Sequence, residues 1–292
     1  MADCGFEPIC EGMWVRRGYR DRLAVAGLTS LDAVFELRKG TSLSKPGMPK
    51  YRSRLRFDVG QPPVTVYLKR YNRPAAAVQM RNWLTLGRRM PCALAELTPS
   101  LDLAAAGVAV PEIIAYGYQW GRFFEKRSFI VSRQIPGADA LERRLPSCFS
   151  APPTPAVLAR RRQFIGQLAS FVAGFHRTGY RHRDLYLSHI FYGDDGSLAL
   201  IDLARALRPS LTAERFRLKD ISQVHYSAPG SVFSNTDRLR FYLAYAGIRR
   251  LGTADKAFIR KVLRKARRMA RHDHRHGRAA PFLDRRTGGT TQ

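Results

Sequence analysis

Two carboxylates stand out because of what lies between them. Asp184 follows His182-Arg183, and Asp202 comes eighteen residues later, just after the apolar run Leu198-Ala-Leu-Ile201. Ile190-Phe-Tyr and Leu198–Ile201 read as two short strands joined by a Gly193-Asp-Asp-Gly196 turn, the composition of a hairpin. A hairpin holds the residue before its first strand and the residue after its second at the same open end. Phosphoryl transfer uses a carboxylate pair of this kind. One orients an acceptor hydroxyl and takes its proton, and the other holds Mg2+ on the nucleotide phosphates.

His182-Arg-Asp-Leu185 reads as the start of a kinase catalytic loop, H-R-D-L-x-x-x-N. The tripeptide alone is a weak signal that a solvated loop could equally carry. The ordered turn, second strand and following Asp make the chemical reading the stronger one.

Upstream, Tyr19–Ala26 reads as a short helix and Ala33–Leu37 as a strand. A small-residue loop follows over 40–47, then strands over Ser53–Val59 and Val64–Lys69 separated by Gly60-Gln-Pro-Pro63. The outline is that of a phosphate-covering arrangement, but without G-x-G-x-x-G an ordinary surface loop fits these residues as well. Lys69 alternates with apolar neighbours in Val66-Tyr-Leu-Lys69, where a half-buried lysine needs a partner. The alternative is an edge lysine facing water. A kinase would use such a lysine to grip the α- and β-phosphates and pair it with a helix glutamate. The helix-prone Cys92–Leu97 supplies Glu96. Glu112 and Glu125 are its rivals, but the first follows Pro111 at a strand start and the second sits in a turn-like stretch.

The helical part continues over Leu101–Gly107, and Ile113–Tyr116 reads as a strand. Phe123–Phe124 and Ser128–Ser132 read as an antiparallel pair, and Gln134-Ile-Pro-Gly137 as a hinge. Beyond it a helix is expected over Asp139–Leu145, then a Pro/Ser loop over 146–155. A long helix runs from about Ala156 to Thr178, with Phe164, Ile165, Leu168, Phe171, Val172 and Phe175 on one stripe. His176 beside that stripe reads as a core histidine. Further helices are expected after Arg217 and over Asp237–Ala246. The fold class is α+β, a bilobal protein-kinase-like arrangement with a β-rich N-terminal lobe (1–135) and an α-rich C-terminal lobe (136–251). Residues 252–292 form a basic amphipathic helix and a disordered end beyond 277.

The 292 residues carry 50 Lys+Arg against 23 Asp+Glu, a net +27, so anionic partners are expected. A coding bias toward Arg would raise the charge without any partner, so charge alone picks none. The segment 252–292 holds 12 Lys/Arg against Asp255, Asp273 and Asp284. Its apolar face (Phe258, Ile259, Val262, Leu263, Ala266, Met269) fits either docking on the lobe or attachment to an anionic leaflet. Cys4, Cys10, Cys92 and Cys148 show no metal-type spacing and read as reduced thiols. No signal peptide or membrane-length apolar run is evident, so a cytoplasmic protein, soluble or peripheral on an anionic membrane, is expected.

The chain resembles the lipopolysaccharide kinases of the Kdo/WaaP type over roughly 14–250. The resemblance rests on Val66-Tyr-Leu-Lys69, Glu96, Ala106–Pro111, His182–His189, Ile201-Asp-Leu-Ala-Arg205 and Lys219–Ser227. The catalytic loop ending in His and Asp-Leu-x-Arg in place of Asp-Phe-Gly are its most specific parts. It implies an ATP- and Mg2+-dependent kinase acting on a Kdo or heptose hydroxyl of the lipopolysaccharide inner core or another anionic glycolipid. Lys69, held by Glu96, would bind the nucleotide phosphates, and the backbone near Arg133–Ile135 would hold adenine. Asp184 with His182 and Arg183 would be catalytic, and Asp202 the principal metal ligand. His189 stands where ordinary kinases have Asn, as a second metal ligand or as a hydrogen-bonding support. Asp220 would steady the catalytic loop, and Arg205 would neutralise charge on the phosphates or on an anionic acceptor. The competing readings are an atypical protein kinase, disfavoured by the missing Ala-Pro-Glu segment, and a non-catalytic kinase-like protein binding membrane or nucleic acid through its tail. Nucleic acid is not the expected partner.

Overall fold

The computed structural model describes residues 5–44, 47–149, 154–277 and 279–281. Residues up to Ala105, with Val110–Pro136 and Asp202–Ala204, form one compact unit. Ala106–Ala109, Gly137–Ile201 and the chain from Arg205 form a second.

The first unit contains β1 (Phe6–Cys10), β2 (Met13–Arg16), α1 (Arg20–Val25), α2 (Leu31–Glu36), β3 (Thr41–Ser42), β4 (Arg52–Val59) and β5 (Val64–Asn72). It continues with α3 (Ala76–Leu86), α4 (Leu94–Ala105), β6 (Ile113–Trp120) and β7 (Glu125–Arg133). The strands make one sheet in the order β1-β2-β6-β7-β5-β4-β3. Alternation along β5 sends Val66, Leu68 and Arg70 to one face and Tyr67, Lys69 and Tyr71 to the other. The first face packs with Met13, Val15, Leu23, Val34 and Phe129 into the larger core. The second packs Tyr71 and Ile130 with Leu97 of α4 and Ala93 just before it. That arrangement faces Lys69 toward the glutamate-bearing helix.

Three local expectations change. Residues 33–37 are not a strand: 33–36 belong to α2, capped by the Ser30 hydroxyl accepting from the Ala33 N–H, and Leu37 is its C-cap. At its other end the buried Arg70 guanidinium donates to the carbonyls of Val34, Phe35 and Leu37. Alternating residue types mislead there, because the decisive donor comes from another strand. Phe123 and Phe124 do not pair with Ser128–Ser132; Phe124 stacks on Trp83, and β7 pairs with β5 and β6. Of the loop at 40–47, Lys45 and Pro46 lie outside the described residues.

The second unit contains β8 (Ala138–Ala140), α5 (Leu141–Phe149), α6 (Pro155–Arg177), β9 (Ile190–Gly193), β10 (Leu198–Leu200), α7 (Ala213–Ser227), α8 (Asn235–Ala246) and α9 (Thr253–Arg275). The expected hairpin is present as β9 and β10, with Ile190 opposite Leu200, and β8 adds a third strand. Asp139 and Ala140, expected to open the helix, are therefore strand. α5 runs on through Pro146, because Leu145 and Phe149 are both buried and Phe149 meets Phe164 of α6. α6 is capped by Thr154 and buries the expected stripe apart from half-exposed Phe171.

α9 packs along α7, with Val262, Ala266 and Ala270 buried and Tyr226 donating to Asp273. Pro281, from the stretch expected to be disordered, accepts a hydrogen bond from the Gly230 N–H; residues 278 and 282–292 lie outside the described residues.

Candidate active site

The first unit holds a buried charge cluster. Lys69 Nζ lies 2.6 and 2.9 Å from the two Glu96 carboxylate oxygens and 3.2 Å from Asp202 Oδ1. Burial alone would push the Lys69 ammonium down, but the Glu96 and Asp202 charges outweigh it and hold its pKa above the ordinary value. Beside it, burial and the Glu96 charge push the Tyr71 hydroxyl up to about 12, so Tyr71 stays neutral. Arg54 sits opposite Lys69 in the β4–β5 ladder and places Nη2 3.5 Å from Asp202 Oδ2. Its Nε is buried with no hydrogen-bond partner among the described residues. Asp202 adopts φ +57, a left-handed conformation that a short polar side chain tolerates better than most.

The rival glutamates are occupied elsewhere. Glu112 accepts from the Tyr19 hydroxyl and lies 3.5 Å from the Arg133 guanidinium. Glu125 starts β7, is buried, and accepts from the Cys92 N–H at 2.8 Å. In the stretch 133–135, the Arg133 N–H donates to the Glu112 carbonyl and the Gln134 N–H to the Thr65 carbonyl. Two of its three amides are thus spent within the sheet.

In the second unit, one face of α7 holds the loop that follows α6. The Asp220 carboxylate accepts from the His182 N–H at 2.8 Å and the Arg183 N–H at 2.7 Å. Gln223 accepts from the Leu185 N–H, and Ser227 from the Leu187 N–H, each at 2.9 Å. The three side chains stand at i, i+3 and i+7 of one helix and satisfy four loop amides that no strand or helix pairs. Asp220 is fully buried, and His176 completes its shell with Nε2 at 3.3 Å and Nδ1 at 2.8 Å from the Tyr245 hydroxyl.

Asp184 projects from this fixed loop, with Arg205 Nη1 2.8 and 3.2 Å from its two oxygens and Lys219 Nζ 3.5 Å from Oδ1. The ion pair of Arg205 is with Asp184. His182 is fully buried and donates from Nε2 to the Ile201 carbonyl, and burial lowers its pKa. Its Nε2–H is thus committed to a backbone carbonyl. His189 donates from Nδ1 to the Asp184 carbonyl at 2.7 Å, and its ring stacks on His182. Arg183 adopts φ +70 and lays its guanidinium over Phe216 at 5.1 Å.

Sequence reasoning missed Arg54 and Lys219. Arg54 was available from the hairpin register: with Val59 opposite Val64 across the Gly60–Pro63 turn, counting five residues back meets Lys69. Lys219 carried a weaker signal, its place beside Asp220.

A cavity of about 580 Å3 lies within the second unit, lined chiefly by apolar residues including Leu168, Val224, Phe233, Val262 and Leu263, with Arg267 among them. No helix among the described residues is long and apolar enough to cross a membrane.

A family described as "Lipopolysaccharide kinase (Kdo/WaaP) family" matches residues 39–245. Among similar proteins, the lipopolysaccharide core heptose(I) kinase WaaP of Pseudomonas aeruginosa is 29% identical over 184 residues, covering 60% of this chain and 68% of that one. The protein of the same description from Escherichia coli K12 is 26% identical over 184 residues, with the same coverages. A solved structure, "WaaP in complex with acyl carrier protein", superposes with a TM-score of 0.64 at 24% identity, covering 88% of this chain and 98% of that one. The last likeness bears on the fold, which is the kinase-like α+β arrangement of that structure.

Proposed function

Because the chain belongs to the lipopolysaccharide kinase (Kdo/WaaP) family, and so is a phosphotransferase of the lipopolysaccharide core, we propose that it phosphorylates a heptose hydroxyl of the inner core. The observation that supports this most is the Lys69–Glu96–Asp202 cluster, a buried cation held between two carboxylates. Lys69 grips the nucleotide α- and β-phosphates and Glu96 fixes its ammonium. The hard oxygens of Asp202, which face Lys69 and Arg54, suit Mg2+. Held there, Mg2+ would supply charge neutralisation on the phosphates. With the Arg133 and Gln134 amides spent, the Ile135 N–H is the donor left in that stretch for an adenine edge.

Asp184 accepts the proton of the acceptor hydroxyl as that oxygen forms its bond to the γ-phosphorus. The bond from the γ-phosphorus to the β–γ bridging oxygen breaks, and ADP leaves with that electron pair. His182 and Asp220 keep the loop in place, and Arg183 contributes through the same backbone. His189 acts as a hydrogen-bonding support, since its Nδ1–H is committed to the Asp184 carbonyl and imidazole is a poor match for Mg2+.

Two features support a location and a partner. The apolar face of α9 is used against α7, which leaves its basic face to meet an anionic leaflet by charge rather than by insertion. The apolar cavity in the second unit would accept an acyl chain, and the similar solved structure is a complex with acyl carrier protein. Vesicle binding that falls with salt, and stabilisation by an acylated but not an unacylated carrier protein, would support these two readings.

The functional test is transfer of labelled γ-phosphate from ATP to lipopolysaccharide acceptors that end in Kdo alone or carry the first heptose. Label is expected only on the heptose-bearing acceptor, and it should vanish with Asp184→Ala. Equal labelling of the Kdo-only acceptor would move the reaction to Kdo.

A further inference from the structure

Asp184 is an odd base as the second unit presents it. Both its oxygens are engaged by cations, Arg205 at 2.8 and 3.2 Å and Lys219 at 3.5 Å. With those cations seated on both oxygens, an acceptor hydroxyl has no open lone pair to approach. Those cations must move to another anion when a hydroxyl arrives. The neighbouring carboxylate cannot receive them: Asp220 is fully buried and saturated by the His182 and Arg183 amides.

Arg205 has room to move, since its side chain is 55% exposed, and the Lys219 ammonium reaches Asp184 only at the outer limit of a hydrogen bond, 3.5 Å. Arg183 is held apart over Phe216 and donates from Nη1 to the Arg205 carbonyl at 3.4 Å, bracing the Arg205 backbone rather than competing for the ligand.

We propose that Arg205 and Lys219 form an anion-binding subsite for a carboxylate or phosphate group on the acceptor. Occupation of the subsite draws the two cations off Asp184 and frees it for the hydroxyl. The inference rests on the reading of Asp184 as the base. It narrows the acceptor to a sugar whose acidic group lies within roughly 6 Å of Asp184, the sum of the present ion-pair distance and one hydrogen bond. Burial together with the Arg205 and Arg183 charges holds the Lys219 ammonium below its ordinary pKa, despite the pull of Asp184, so a second anion there is electrostatically welcome. Only an acceptor that brings its own negative charge then meets an unencumbered base, which makes substrate charge a requirement of catalysis as well as of affinity.

The test uses matched acceptors, one with a free carboxylate beside the accepting sugar and one with that carboxylate reduced to the alcohol. The wild type is expected to lose about 10–100-fold in kcat/KM on reduction, the range of one charged hydrogen bond. Lys219→Gln should lose a similar factor on the acidic acceptor and show little preference between the two. Lys219→Arg should recover much of the preference, which a merely structural role would not produce. Transfer by the wild type with equal efficiency to both acceptors overturns the subsite while leaving the base in place. A rise in the KM for ATP instead of the acceptor also overturns it and assigns the cations to the nucleotide. Transfer to the acidic acceptor that survives in Asp184→Asn overturns the base assignment and the subsite with it.

Discussion

Asp220→Asn isolates what α7 does for the catalytic loop. The carboxylate is fully buried and takes two short hydrogen bonds, from the His182 and Arg183 amides at 2.8 and 2.7 Å. Asparagine keeps the shape and one acceptor oxygen but turns an NH2 toward the other amide. One charge-assisted bond is lost, worth about 1.5–3 kcal/mol, and a buried donor is left facing a donor. The loss falls on a loop where Arg183 is already held at φ +70. For a protein near this size each kcal/mol moves Tm by roughly 2–4 °C, so a drop of about 3–12 °C is expected. Hydrogen exchange at the His182 and Arg183 amides should accelerate, and kcat should fall more than ATP affinity. Ser227→Ala, which removes only the neutral bond to the Leu187 amide, should cost about 1 kcal/mol. Unchanged melting and unchanged exchange in Asp220→Asn would refute the claim that this helix face sets the loop.

Glu96→Gln should leave the buried Lys69 with Asp202 as its remaining anion, raise the KM for ATP, and destabilise by less than the ~3–5 kcal/mol of a fully broken buried pair. Nucleotide titration and melting check both parts. Arg54→Gln should weaken ATP binding by roughly 10-fold with AMP binding unaffected, if its buried Nε and its contact to Asp202 serve the distal phosphates; equal weakening of AMP would argue for a packing role. His225 tests acid sensitivity. Burial and Arg238 push its pKa down to about 3 in the folded protein, against about 6.5 unfolded. The unfolded chain therefore takes up the proton first, and stability falls as pH drops below about 6.5 toward 3, by up to ~2 kcal/mol at pH 5. His225→Gln should flatten the dependence of stability on pH over that range, and an unaltered slope would count against the buried neutral ring.

Legibility followed the range of the interactions. The β9–β10 hairpin and the α6 stripe rest on local periodicity and turn residues, and both are readable in the sequence. Lys69 and Glu96 are readable as a pair because a strand lysine among apolar neighbours requires an anion, and a helix nearby offers one. α2 reads wrongly as a strand because its stop comes from Arg70, 34 residues beyond Glu36, acting on carbonyls that local sequence leaves open. α5 reads as ending before Pro146, where burial of Phe149 outweighs the one amide that proline lacks. The Arg205–Asp184–Lys219 group joins three segments, and no local pattern announces which cation faces which carboxylate.

The measurement that tests the central claim most directly sets Asp202→Asn beside Asp184→Asn, reading Mg·ATP affinity and phosphate transfer for each. The account predicts that Asp202→Asn loses Mg-dependent ATP binding and transfer together. Asp184→Asn should bind Mg·ATP as the wild type does and transfer nothing. Transfer surviving in Asp184→Asn, or Mg·ATP binding surviving intact in Asp202→Asn, would contradict the division of roles between the two carboxylates.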